Sequence, residues 1–162
     1  MSRTRVLLLG LALLAATPSK AFADATVFLG TTTTPENRLA KGFAVGLSLL
    51  VIGFEFEYSG TSAETKSGAP SLKTALGSLL LQTPVEIFGL QPYFVIGGGG
   101  YREHVDAPNH QETNFATNVG GGVKIGLMGP VRLRLDYRVF KLSGDALDSP
   151  VQRLYAGLNL KF

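Results

Sequence analysis

The two histidines of this 162-residue chain fall in one short segment, where His104, Asp106, His110 and Glu112 put four nitrogen and oxygen donors close together. Donors of these types could hold a divalent cation. They are equally the residues of a polar, solvated loop, and on that simpler reading no metal and no cofactor are expected. Hydrolysis by a Ser–His–acid set needs a serine beside an imidazole. Both histidines lie in this one segment with no serine placed beside either on a strand, so the chain is not expected to be an enzyme. The glycine runs Gly97–Gly100 and Gly120–Gly122 do not open a helix and do not end in the Gly-Lys-Ser/Thr of a phosphate loop. In strands, such glycines allow curvature and close approach. The remaining charges fall at alternate positions: Glu55 and Glu57, then Lys124, then Arg132, Arg134, Asp136 and Arg138. Their chemistry is mutual neutralisation, because a charge buried without a partner costs several kcal/mol, on the order of 3–5 when one member of a pair is removed.

The alternation identifies the elements that carry these residues. In Val131–Val139 the apolar Val131, Leu133, Leu135, Tyr137 and Val139 share one face and the four charges share the other, the period-two signature of a strand. Phe54, Phe56 and Tyr58 alternate with Glu55 and Glu57, and Leu154, Ala156, Leu158, Leu160 and Phe162 alternate with Tyr155, Gly157, Asn159 and Lys161. The same reading gives eight strands near 25–33, 42–51, 53–60, 71–82, 91–102, 113–127, 131–141 and 152–162, with the pattern blurred in the fourth. Connections near 34–41, 61–70, 103–112 and 142–151 are polar and rich in turn formers. The turns near Ile52 and Met128–Pro130 are short, and only Thr83–Leu90 is longer. Phe43, Tyr58, Tyr101 and Tyr137 near one set of strand ends, and Phe54, Tyr93 and Phe162 near the other, suit rings at the headgroup level.

The amino terminus has the three parts of a secretory signal peptide: Arg3 and Arg5, the apolar run Val6–Ala16, and Ala21-Phe22-Ala23 before Asp24. The run is too short to span a bilayer as a helix, which takes about 20 residues. The expected organisation is a cleaved segment, 1–23, and one domain, 24–162. Losing Arg3, Arg5 and Lys20 from the 15 basic residues leaves 12 against 12 acids, so nothing in the charge balance favours nucleic acid. With no cysteine, disulfides, thiolate metal sites and lipidation at a new N-terminal Cys are excluded.

The composition of the faces orients the strands. The less apolar faces hold small residues and a few charges of both signs, which suits a narrow interior with Glu–Arg pairs better than a solvated surface. The expected fold is all-β: an eight-stranded antiparallel up-and-down transmembrane β-barrel, apolar side chains toward lipid, with Glu55, Glu57, Lys124, Arg132, Arg134, Asp136 and Arg138 as interior ion pairs that plug the lumen. A soluble periplasmic barrel has the opposite facing. A conduit or carrier for a hydrophobic ligand would need a lined cavity, to which interior Phe94 and Ile96 could contribute.

The terminal segment Leu154-Tyr-Ala156-Gly-Leu158-Asn-Leu160-Lys-Phe162 resembles the closing strand of outer-membrane barrels. The mature chain as a whole resembles the OmpA/OmpX-type and opacity-type eight-stranded barrels. That resemblance implies an outer-membrane location, outer-membrane lipid as surroundings, a monomer, and a structural or surface-interaction role through the loops. It also implies recognition by the barrel-assembly machinery through Leu154, Ala156, Leu158, Leu160 and, above all, Phe162. The sequence ends with the barrel, so the peptidoglycan-binding domain of longer relatives is not expected.

Overall fold

The computed structural model describes residues 21–64, 68–105 and 110–162. Most of the proposed signal peptide, including its apolar run, lies outside them. The chain forms eight strands: β1 Ala21–Thr32, β2 Arg38–Leu49, β3 Ile52–Thr61, β4 Ser71–Gln82, β5 Leu90–Val105, β6 His110–Met128, β7 Val131–Leu142 and β8 Val151–Lys161. Each pairs antiparallel with the next, and β8 returns to β1 to close the barrel. The seam runs from Asp24 opposite Lys161 to Thr32 opposite Arg153, and reciprocal main-chain bonds of 2.9 Å join Ala23 and Phe162 at its end. No helix among the described residues is long and apolar enough to cross a membrane, so any crossing is made by strands.

The two ends of the barrel differ. Two-residue connections, Leu50–Val51 and Gly129–Pro130, share one end with the longer 83–89 turn; the other end carries 33–37, 62–70, 106–109 and 143–150. We call these the turn end and the loop end. Several boundaries move from the sequence reading. β2 starts at Arg38, not at residue 42, because Arg38 pairs with Thr32 across the ladder and its guanidinium donates to the carbonyls of Pro70 and Thr34. It stops at Leu49, and the tight turn falls on Leu50–Val51 instead of Ile52. A two-residue hairpin demands a positive φ, and Leu50 adopts it (φ 50°) without the Gly or Asn that would mark it in sequence. Within the polar 103–112 segment, residues 103–105 and 110–112 are strand: Glu103 faces Glu112 and His104 faces Gln111 in an extended β5–β6 ladder.

Apolar side chains point out. Phe54 is 58 % exposed, Leu158 55 % and Leu135 40 %, whereas Arg134 and Arg138 are at 0 %. A solvated surface of this composition would be an aggregation hazard; in a bilayer it is the lipid-facing belt. Two assignments are corrected by this facing. Tyr93 and Tyr101 are not girdle residues but point into the lumen, where Tyr93 donates to Asp136 and Tyr101 to the carbonyl of Ser143. Phe94 and Ile96, considered for an interior cavity, point outward. β4 looked blurred because leucines occupy both its faces, Leu72, Leu76 and Leu80 inward and Leu79 and Leu81 outward.

The belt makes a depth-dependent prediction. Leu135→Arg, at the middle of β7, should destabilise the barrel in lipid vesicles by about 2–4 kcal/mol, and Gln152→Arg, at the loop end of β8, by about 0–1 kcal/mol. Urea unfolding followed by tryptophan-free probes such as circular dichroism checks both; equal costs at the two depths would contradict a membrane-spanning belt.

Candidate functional site

Strand alternation turns Arg132, Arg134, Asp136 and Arg138 of β7 to one face, and barrel closure makes that face the lumen wall. The lumen is just wide enough for side chains from opposite walls to meet, as eight-stranded geometry dictates. At the turn end, Asp24 of β1 accepts from Lys124 Nζ at 2.7 Å and lies 3.4 Å from Arg132. Arg132 also donates to Asn159 at 2.8 Å and to Gln91 at 3.0 Å.

The middle layer is the densest. The guanidinium of Arg134 forks onto both carboxylate oxygens of Glu55, which reaches across from β3. It also donates to Asp136 at 3.0 Å and to the Tyr93 hydroxyl at 2.7 Å. Arg138 donates to Glu55 at 2.8 Å and, through Nε, to Asp136 at 2.9 Å. Asp136 further accepts from the hydroxyls of Tyr93 and Tyr155. Charge-assisted, bidentate bonds of this kind are the strong ones, and they satisfy groups that cannot reach water.

Above it, Arg138 and Arg153 stand directly opposite each other on β7 and β8. Like charges so placed repel. Glu57, from the far wall, lies between them, 3.1 Å from Arg138 and 2.9 Å from Arg153. Arg153 also rests over the ring of Phe140, 4.4 Å from its centroid. Phe140 begins an apolar layer toward the loop end, with Leu72, Leu76, Tyr101, Ala116, Leu142 and Val151. The main charge network therefore occupies the centre and turn end of the lumen, and beneath the loops this apolar cluster sits among buried Thr32, Arg38, Thr61, Thr74 and Glu103.

All seven charges singled out in the sequence are buried in the lumen. Glu55 and Glu57 meet Arg134 and Arg138 across the lumen, as the sequence reading expects, whereas Arg132 does not reach either glutamate and pairs, like Lys124, with Asp24. Asp24, Arg153, Tyr93 and Tyr155 were missed. Arg153 was within reach, since continuing the Tyr155–Gly157 parity by one step arrives at it. Asp24 abuts the proposed cleavage point, and the tyrosines read equally well as interfacial rings.

The glycines Gly120 and Gly122 lie opposite Arg138 and Asp136. A Cβ at Gly122 would fall on the Tyr93 hydroxyl, and one at Gly120 would come 3.0 Å from Cγ of Arg138. This glycine run makes room for the network. On β8, Leu154, Leu158 and Leu160 face outward, as does Ala156, and Phe162 follows the strand exposed at the turn end.

Of the four loop donors, Asp106 lies outside the described residues. His104 and Glu112 project to opposite faces of the β5–β6 ladder. No group of three or more His, Asp or Glu among the described residues is placed to hold a metal. The statement that no serine stands beside a histidine is corrected: Ser71 is directly opposite His104 on β4. Its hydroxyl, however, donates to the His104 carbonyl at 3.2 Å.

No family model and no curated protein matches the sequence. Solved structures do match in fold. Neisserial surface protein A superimposes with a TM-score of 0.66 at 19 % identity, covering 88 % of this chain and 96 % of that one. The N-terminal β-barrel domain of Pseudomonas aeruginosa OprF gives 0.66 at 13 % identity, covering 87 % and 97 %. The outer membrane enzyme PagL gives 0.50 at 12 %, covering 85 % and 98 %. The fold is thus that of eight-stranded outer-membrane β-barrels, which supports an outer-membrane location.

Glu57 is the residue on which the network is most exposed to test. Glu57→Gln should leave two facing guanidiniums without their shared counter-charge and cost about 3–5 kcal/mol in urea unfolding from lipid vesicles. Adding Arg153→Met, which removes the cation left without a carboxylate while Arg138 keeps Glu55 and Asp136, should recover part of that loss. A double variant less stable than the single one would refute the bridging role.

Proposed function

We propose that this chain is an integral outer-membrane protein whose closed barrel acts as a scaffold for its loops, with a structural or surface-interaction role and no catalytic one. The observation that carries this reading is the lumen itself. Arg134, Asp136 and Arg138 are at 0–1 % exposure, the two arginines joined to Asp136 and, across the lumen, to Glu55 and Glu57, and an apolar cluster packs the lumen toward the loops. A solute path would have to break several charge-assisted bonds at once, so the network is read as a plug. The surface assignment of Neisserial surface protein A accords with a role at the cell exterior. The outer membrane enzyme PagL shares the fold, but here the Ser71 hydroxyl is engaged by a main-chain carbonyl, not by the imidazole of His104, which weighs against a Ser–His nucleophile.

The reading includes export by a signal peptide over residues 1–23, cleaved before Asp24, and insertion as a monomer by the barrel-assembly machinery through the terminal strand. The outward row Leu154, Ala156, Leu158 and Leu160 and the accessible Phe162 ring offer that machinery an apolar edge to grip.

Purified barrel in planar bilayers should give no steady conductance above the lipid background, and Arg134→Ala should lower stability while leaving conductance near zero. A large, steady open state in the wild-type protein would refute the plug. In cells, the protein should fractionate with the outer membrane and show heat-dependent gel mobility, and deletion of Phe162 should reduce the heat-modifiable fraction. Recovery in the aqueous fraction after cell breakage would refute the membrane reading.

A further inference from the structure

The outward faces of the strands carry very few charges, and those share one sign and one end. Among the described outward-facing strand residues, the only Asp, Glu, Lys or Arg side chains are Lys41, Lys73, Arg102 and Lys141, all exposed and all near the loop end. Three of them stand in one row across the wall: Lys41 opposite Gly60, Gly60 opposite Lys73, and Lys73 opposite Arg102. Directly opposed side chains sit about 5 Å apart, and like charges there are destabilising. No ion pair joins any of the three to an acid among the described residues. Gly60 adds no side chain to the row, and a Cβ there would meet nothing within 4 Å.

Around and below the row the wall is hollowed. Ser71, Lys73, Arg102, His104 and Gln111 line a depression of about 260 Å³ at the rim. Next toward the membrane centre is one of about 320 Å³ bounded by Tyr58, Lys73, Ala75, Gly100, Arg102 and Thr113. A third, of about 690 Å³, lies lower and extends around the wall from Gly77, Leu79 and Ile96 past Phe56 and Val45 to Phe162, lined mainly by apolar side chains. The upper two lie along β4 and β5, and they run into the third at Gly77 because the outward positions of this strand pair are small: Ala75 faces Gly100 and Gly77 faces Gly98. Phe115, whose ring lies against Gly98, walls one side.

We infer that β4 and β5 form a binding track for one anionic lipid of the leaflet at the loop end, which long connections mark as the outer one, its phosphorylated headgroup held by Lys73 and Arg102 with Lys41 beside them and an acyl chain lying in the trough below. The inference rests on the membrane-barrel reading. Charge complementarity selects the occupant: the row is cationic, it lies at the depth where headgroups begin, and the surface below is mainly apolar. Arg102 is already oriented, its Nε donating to Thr113 at 3.3 Å, and a planar guanidinium beside a compact ammonium suits phosphate oxygens.

The test uses the full mature barrel folded in detergent and titrated with a diphosphorylated, multiply acylated glucosamine disaccharide (lipid A), with its dephosphorylated form of identical chains, and with inorganic phosphate. The phosphorylated lipid should bind more tightly than the dephosphorylated one. Lys73→Ala with Arg102→Ala should weaken it by a factor of about ten to thirty, the worth of two cations at an anionic surface. Lys141→Ala, on a distant strand, should leave binding unchanged. Gly100→Leu should weaken binding with every charge intact, by filling the trough. Equal binding of the two lipids, or an unaffected double variant, would overturn the headgroup site. Full displacement of the lipid by millimolar inorganic phosphate would overturn the acyl track. Heat-dependent mobility, measured on each variant, reports the barrel separately, so failure here is distinguishable from failure of the membrane reading.

Discussion

A bilayer interior offers no partner to a backbone N–H or C=O, so a chain that crosses it as strands has to return its last strand to its first. In this protein β8 meets β1 over nine residue pairs, from Asp24–Lys161 to Thr32–Arg153. Once the ladder closes, period-two alternation has only two destinations for a side chain, lipid or lumen. Every outward position must be tolerable in hydrocarbon, and every inward position must fit a channel that eight strands make too narrow for bulk water. The exposed leucines and phenylalanines and the buried arginines are two consequences of that single closure.

The lumen then has to solve a charge problem. Lys124, Arg132, Arg134, Arg138 and Arg153 face Asp24, Glu55, Glu57 and Asp136, and the acids are shared among the bases instead of being matched one to one. Asp136 serves Arg134 and Arg138, Glu55 serves the same pair from the opposite wall, and Glu57 serves Arg138 and Arg153. Such sharing ties β3 to β7 and β8 across the barrel, distances that main-chain pairing between neighbours does not span. A register slip of one residue would turn Glu55 and Glu57 to lipid and Phe54 and Phe56 inward, so the network opposes slippage in addition to filling space. Arg153 lies at the limit of this solution: it has one carboxylate contact and then the face of Phe140, where the polar interior gives way to the apolar layer.

What could be read from residues alone follows from the same alternation. β7 and β8 were legible because each strand has a uniformly apolar face and a contrasting one. β4 was not, since the lumen wall it contributes is apolar too and its leucines repeat on both sides. Tyr93 and Tyr101 misled because a tyrosine suits either destination: a ring for the belt, a hydroxyl for the network. The position of the Leu50–Val51 turn carries no cue, as leucine at positive φ is imposed by hairpin closure and not favoured by the residue. The pairing of Glu55 with Arg134 was legible as a requirement for neutralisation, but which acid met which base was not, because that depends on the heights of strands brought together only when the barrel shuts. Ser71 beside His104 is hidden for a related reason, being set by the β4–β5 register across an intervening turn.

The outer wall obeys the converse rule. If lipid excludes charge from the belt, a charged side chain on that wall is tolerated only where the hydrocarbon ends. Lys41, Lys73, Arg102 and Lys141 meet this condition at the loop end. On the outward faces of the described strands, the turn end has no counterpart of either sign. Exclusion alone explains the depth of these residues but not their uniform sign or the opposition of Lys73 and Arg102, because acids or alternating charges would satisfy it equally well. A second constraint must act at that end, and the only partner that a lipid-facing cation meets in common with its neighbours is the headgroup layer. The barrel is consequently polar along its axis in two senses: inside, carboxylates and bases share one network, while on the outward faces of the described strands the charge is all of one sign and waits for an anion supplied by the membrane.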